Sequence, residues 1–327
     1  MKAVVQERYG APDVLELREV ERPAPGPGEV LVRVHAAAVN ARDWHIVRGD
    51  PYVARLAFGL GGPRARVRGR DFAGRVEAVG PGVSRFRPGD EVFGDLGDAD
   101  GAFAEFACAP ERLVHAKPAD LGFEQAAALP LAGNTALMGL RDVGGVREGS
   151  TVLVNGASGG VGTFAVQIAK ALGAEVTGVC STRNVPLVRS LGADHVVDYT
   201  QEDFTRSGRR YDVVLDLVGN RSLAEQRRVL APDGILVLSG GGVFEGGSLF
   251  GPMGLILKAR AAAPLLRQRV AALTERPSGE NLAVLAELAG SGRVVPAIDR
   301  TYALAEAAEA IRYLEVEHAR AKVVITV

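Results

Sequence analysis

Cysteine is scarce: Cys108 and Cys180 are the only two in 327 residues. Two are too few for a disulfide scaffold and lack the clustered spacing of a structural zinc site, so a reducing cytosol is the expected compartment. Net charge is nearly absent, with 38 Lys and Arg against 39 Asp and Glu, which removes the electrostatic reason to expect nucleic acid as the main partner. Long apolar runs are missing too. The most apolar late stretch, 249–266, is interrupted by Pro252, Lys258, Arg260 and Pro264, so no membrane span is expected. The first residues bring in Lys2, Gln6 and Glu7 at once and lack the apolar centre of a secretion signal. At 47% hydrophobic and 24% charged residues the chain is not of the disordered class. Its length suggests two domains, each able to bury a core.

What is present changes character along the chain. Up to about residue 120, short β-branched runs such as Glu29-Val30-Leu31-Val32-Arg33-Val34-His35 are separated by Pro-Gly turns, at Pro25-Gly26-Pro27-Gly28 and Arg87-Pro88-Gly89-Asp90. This pattern reads as strands joined by tight turns. From Phe123 the spacing becomes helical up to Met138. Beyond 151, buried strands alternate with Gly turns and apolar-faced helices: strands at 151–154, 175–179, 196–197, 213–216 and 235–238, and helices at 160–172 and 280–288. Such alternation predicts a parallel sheet with right-handed crossovers. The chain ends on Lys322-Val323-Val324-Ile325-Thr326-Val327, another strand.

The strongest chemical signal is Val152-Leu153-Val154-Asn155-Gly156-Ala157-Ser158-Gly159-Gly160-Val161-Gly162. Glycines at 156, 159 and 162 lie between a strand and a helix. There they permit a tight turn and close approach of a pyrophosphate to the helix N-terminus. The Gly-x-x-Gly-x-x-Gly spacing departs from the common dinucleotide fingerprint in its first interval. The next strand ends at Cys180-Ser181-Thr182-Arg183-Asn184, without the acid that would hold a ribose 2′-hydroxyl. Ser181 and Arg183 suit a 2′-phosphate instead, so NADPH is expected over NADH.

The motifs Ala38-Val39-Asn40-Ala41-Arg42-Asp43-Trp44, Gly69-Arg70-Asp71-Phe72-Ala73-Gly74, Phe86-Arg87-Pro88-Gly89-Asp90-Glu91-Val92-Phe93-Gly94, the glycine loop and Asp216-Leu217-Val218-Gly219 occur in that order. Together they resemble the zinc-independent medium-chain dehydrogenase/reductase family, in its quinone oxidoreductase-like, zeta-crystallin-like branch. The resemblance implies an α/β chain with a GroES-like β-rich domain, residues 1–122 with 293–327, and a Rossmann doubly wound parallel-sheet domain, residues 123–292. The cofactor would lie between them. Where zinc alcohol dehydrogenases have Cys and Gly-His-Glu, this chain has Asn40 and Gly69-Arg70-Asp71, so no metal site is expected.

Without a Lewis acid, hydride transfer to a quinone or an α,β-unsaturated carbonyl is easier than simple alcohol oxidation. The resemblance places Asn40 and Thr135 by the nicotinamide, Tyr199 by the adenosine ribose, and the loop Ser239-Gly240-Gly241-Gly242 facing the nicotinamide. Val218 joins the glycine loop residues Gly156, Ser158, Gly159, Gly160, Val161 and Gly162 in the cofactor set. Asp43, His45 and Tyr52, with Asn40, are candidates at the substrate end, and Trp44 is a candidate for the pocket or the core. No residue stands out as the proton donor. Asn40 serves equally to satisfy backbone in a turn, and Tyr199 to pack on a helix. An aldehyde or secondary alcohol substrate, and an NADPH-binding redox sensor with little turnover, are the alternatives. A homodimer is expected of such a chain. The apolar segment 246–269 reads as an active-site cap, a dimer surface or a lid.

Overall fold

The computed structural model describes residues 1–239, 247–251, 253–262, 267–316 and 319–327. Six strands form one all-parallel sheet in the spatial order His195–Asp198, Glu175–Cys180, Thr151–Asn155, Tyr211–Asp216, Leu230–Leu238 and Arg269–Ala272. Numbered along the chain this is 3-2-1-4-5-6, the doubly wound dinucleotide-binding order. Successive side chains leave opposite faces of a strand. Accordingly Val152, Val154, Val213, Leu215, Ile235 and Val237 enter one core, while Leu153, Val214, Leu236 and Leu238 enter another. Apolar residues on both faces are why these strands read as continuous hydrophobic runs.

The second sheet is built by Ile298–Ala303, Lys322–Thr326, Glu29–Val39, Asp71–Val79, Glu91–Asp95 and Val114–Ala116, with Phe106–Pro110 also paired to Glu29–Val39. Its strands are antiparallel except for the pair formed by Ile298–Ala303 and Lys322–Thr326. The chain's last strand therefore lies beside its first long one. One face packs on Val30, Val32, Phe72 and Phe103. From the other, Ala36, Ala73, Phe93 and Val324 join the core of the parallel sheet, so the two sheets share buried apolar contact through the helices at Phe123–Ala127 and Pro130–Leu137.

Two elements differ from the sequence reading. The helix expected over 123–138 is two short helices followed by a π-turn at Met138–Val143. Pro130 has no amide hydrogen to continue a helix and opens the second one at its first turn. The segment 246–269 yields a helix at Met253–Ala262 and the start of the sixth strand at Arg269. That strand is four residues long and carries an Arg, which hid its periodicity.

Candidate functional site

The glycine loop leaves the sheet where the strand order reverses, between Thr151–Asn155 and Tyr211–Asp216. Ligands of open α/β sheets bind at such a point. Gly156 takes φ +89°, and a Cβ there would sit 2.8 Å from Val218 Cγ2. At Gly162 a Cβ would sit 2.0 Å from the Gly156 carbonyl oxygen, so only glycine lets the helix Gly160–Ala171 approach its loop this closely. That helix has no side-chain cap, and its first-turn amides, from Gly160 to Gly162, with the positive end of its dipole, are available to an anion.

Asp216, at the end of the fourth strand, organises the facing loop. Its Oδ1 accepts from the Val218 and Gly219 amides, at 3.1 and 3.0 Å, and from Asn155 Nδ2 at 2.8 Å; its Oδ2 accepts from Gln226 Nε2 at 2.7 Å. Ser239 follows the fifth strand and donates its amide to the Asp216 carbonyl at 3.1 Å. Gly240 and Gly241 lie outside the described residues. At the second strand's end, buried Asn184 donates from Nδ2 to Ser158 Oγ at 3.0 Å and to Ser181 Oγ at 3.3 Å, while its Oδ1 is buried without a partner. The structure thus joins Ser158 and Ser181, which are distant in sequence. Arg183 is exposed beside them, and the half-exposed Tyr199 donates its amide to the Cys180 carbonyl at 3.0 Å. Burial pushes the Cys108 and Cys180 thiols up to about 11, so both are inert small side chains rather than nucleophiles.

Asn40 precedes the helix Ala41–Arg48 and is buried. Its amide donates to Asp43 Oδ2 at 2.7 Å. Its side chain is held by Lys322 Nζ on Oδ1 at 2.6 Å, and donates from Nδ2 to Asp71 Oδ2 at 3.0 Å and to the Ala38 carbonyl at 3.3 Å. Asp43 is 1% exposed and therefore closes the helix start instead of lining an open pocket. Burial, and then the neighbouring Asp100, push its carboxyl up to about 6. Burial also raises Asp71 and lowers Lys322, each opposed by the other's charge. Thr135 donates its hydroxyl to the Leu131 carbonyl at 2.7 Å. His45 places Nδ1 2.7 Å from the Asp50 carbonyl and is held below its usual pKa by burial. The carbonyl can only accept, so Nδ1 carries the proton and Nε2 is an acceptor. Tyr52 is 47% exposed and is tied to the segment 247–251: its amide donates to the Ser248 carbonyl at 2.9 Å, and the Ser248 amide donates to Asp50 Oδ1 at 2.6 Å.

At the two positions where a zinc ligand would stand are Asn40, an amide whose Oδ1 accepts from Lys322, and Arg70, a buried cation bound to Asp95 and Glu275, neither of them a thiolate, imidazole or carboxylate. Among the described residues no group of three or more His, Cys, Asp or Glu could hold a metal. A nicotinamide dinucleotide does fit, at the uncapped helix start and the orphaned Asn184 oxygen. A separate cleft of about 620 Å³, lined by Arg85, Arg112, His115 and Ser278 among others, contains none of these residues.

Sequence reasoning missed Lys322, Asn184 and Asp216. The signal for Lys322 was there: one charge in the apolar run from Ala321 to Ile325.

The alcohol dehydrogenase GroES-like domain family matches residues 26–119, and the zinc-binding dehydrogenase family matches 191–325. The chain is 32% identical over 99% of its length, and 98% of the relative's, to a chloroplastic quinone oxidoreductase of Triphysaria versicolor. A solved quinone oxidoreductase structure from Coxiella burnetii superposes with a TM-score of 0.86 at 32% identity, covering 100% of this chain and 99% of that one. A mycobacterial structure complexed with NADPH does so with a TM-score of 0.82 at 29% identity, each chain being fully covered. With this fold, this loop and relatives matched end to end, the chain belongs to the quinone oxidoreductase-like branch of the medium-chain dehydrogenase/reductase family.

Proposed function

We propose that this oxidoreductase uses NADPH, without zinc, to reduce a quinone or an α,β-unsaturated carbonyl. The observation that carries the proposal is the second strand's end: Ser158 and Ser181 converge on Asn184 beside the exposed Arg183, residues 181–184 include no acid, and the neighbouring Asp198 carboxylate is taken up by Thr182, Thr200 and Gln201. A guanidinium and hydroxyls suit a 2′-phosphate, which a carboxylate would repel. The NADPH found in a similar structure supports the same choice.

In this reading the first-turn amides from Gly160 to Gly162 hold the pyrophosphate. Tyr199 lies against the adenosine side, and Asn40, Thr135, Val218 and the loop from Ser239 surround the nicotinamide end. The bound cofactor supplies the hydride. A quinone or enone delocalises the charge that the hydride brings, so the chain's task is to orient the two reactants and exclude water. His45, neutral and protonated on Nδ1, presents only an acceptor, so the closing proton comes from solvent or from a hydroxyl such as that of Tyr52. We also assign residues 1–122 with 293–327 and 123–292 as the two domains whose cleft holds the reactants, in a cytoplasmic homodimer.

The test follows NADPH and NADH oxidation by chelator-treated protein against quinones, enones, aldehydes and ketones. NADPH-selective turnover of quinones or enones is expected. NADPH binding with no turnover on any acceptor would transfer the assignment to a redox sensor, and activity appearing only with added zinc would overturn the zinc-free reading.

A further inference from the structure

Lys322 is 2% exposed and is followed in its strand by the buried Val323, Val324 and Ile325, a costly place for an ammonium unless its partners hold it. Backbone geometry delivers it there. Ala321 takes φ +60°, a left-handed conformation unfavourable for a residue with a Cβ and maintained where surroundings enforce it. Its amide donates to the Ser158 carbonyl at 2.7 Å, joining the glycine loop to the antiparallel sheet. The lysine stem then runs past Gly160, where a Cβ would sit 3.3 Å from Cδ. Its Nζ ends on Asn40 Oδ1 at 2.6 Å and the Val39 carbonyl at 3.2 Å, and lies 3.9 Å from Asp71 Oδ2.

These partners fix the direction of the Asn40 amide. An ammonium only donates, so the atom it meets is Oδ1; a carboxylate and a carbonyl only accept, so the atom they meet is Nδ2. Asp71 is itself anchored, its Oδ1 accepting from the Leu131 amide at 3.1 Å. Both amide hydrogens of Asn40 are consumed by Asp71 and the Ala38 carbonyl. What is left for a ligand is the second lone pair of Oδ1.

We propose that Lys322 is a positioning residue, which locks Asn40 so that it meets its ligand only as a hydrogen-bond acceptor. This rests on the nicotinamide-site reading above. The group that Asn40 recognises is then a donor, a ribose hydroxyl or a carboxamide N–H, and Asn40 does not polarise the acceptor's carbonyl. Lys322 reaches the chemistry through Asn40 and touches neither reactant.

The test uses the full chain with Lys322→Met, which keeps the stem and the Ala321 amide. In cofactor-free protein, proton exchange of the Asn40 side-chain amide, followed by NMR, is expected to rise at least tenfold in K322M; an unchanged rate would overturn the lock. Affinity for NADPH, read by energy transfer from Trp44, the single tryptophan, is expected to stay within threefold, while kcat with a quinone falls about tenfold. The Asn40→Ala and Lys322→Met double variant is expected to be no slower than N40A alone, because one residue acts through the other. A K322M enzyme with kcat within twofold of the parent, or losses that multiply in the double variant, would refute the proposal. If K322M does not fold, the pair Lys322→Met with Asp71→Asn is compared with D71N alone, and the same tenfold difference is expected. Wild-type protein that binds no NADPH contradicts the cofactor reading, whereas the exchange experiment judges Lys322 independently of it.

Discussion

Replacing Arg70 by Leu removes a charge shared by two acids, the buried Asp95 and the partly buried Glu275, that come from the two different sheets. Arg70 is 4% exposed and forks onto Asp95, with Nη2 2.7 Å from Asp95 Oδ2 and 2.7 Å from Glu275 Oε2. Asp95 belongs to the antiparallel sheet, whereas Glu275 follows the last strand of the parallel one. Glu275 also accepts from Asn134 Nδ2 at 2.6 Å, beside Thr135. Leu leaves both carboxylates without the cation they share, and breaking a buried ion pair in this way costs about 3–5 kcal/mol. The loss is expected as a lower urea midpoint, read by Trp44 fluorescence. It also carries a pH signature. Burial already raises the Glu275 pKa against the pull of Arg70; without Arg70 it rises further above its unfolded value. A raised carboxyl pKa favours the protonated folded form, so the cost of R70L relative to the parent should be smallest below the unfolded pKa of Glu275 and grow as pH rises through its raised folded value. Adding Asp95→Asn and Glu275→Gln removes the stranded charges and should return most of the loss. A cost in R70L under about 1 kcal/mol, or one that does not change between pH 5 and pH 8, would refute the assignment of Arg70 as the cation that both acids depend on, because a loss of several kcal/mol requires buried charge left without compensation.

Arg183→Glu should raise the NADPH KM by about 10–100-fold, the equivalent of about 1.5–3 kcal/mol for charge-assisted hydrogen bonds, and favour NADH; an unchanged NADPH KM contradicts the 2′-phosphate assignment. Gly162→Ala forces a Cβ to 2.0 Å from a backbone oxygen, so a loss of about 1–3 kcal/mol in stability and of NADPH binding by titration is expected; normal binding would mean that the loop has room. Asp43, with its carboxyl held at about 6 by burial, contributes stability that is full below its unfolded pKa near 4 and lost as pH rises to 6. Relative to Asp43→Asn, which keeps an oxygen for the Asn40 amide, the parent should lose about 3 kcal/mol between pH 4 and pH 7, at 1.36 kcal/mol per pKa unit. Parallel stability curves for the two proteins would show that folding does not shift the Asp43 pKa.

The sequence by itself determined the architecture, because strand periodicity, glycine turns and the motif order are local patterns. Val152-Leu153-Val154 next to Gly156 and Gly162 specifies a buried strand and a helix start that accepts an anion, and the structure sets this loop at the reversal of strand order. The absence of an acid after Cys180 was equally legible. Tertiary structure alone decided the electrostatics. Asn184 acquires its meaning only when folding brings Ser158 within 3.0 Å of it, and Arg70 only when Glu275, 205 residues away, closes on it. The polarity of Asn40 shows the limit most directly. The sequence identifies an amide able to donate or accept, and contacts from residues 38, 71 and 322 leave it a single lone pair. A side chain's type fixes what it can do, but which of its valences remain open depends on partners that only the fold delivers.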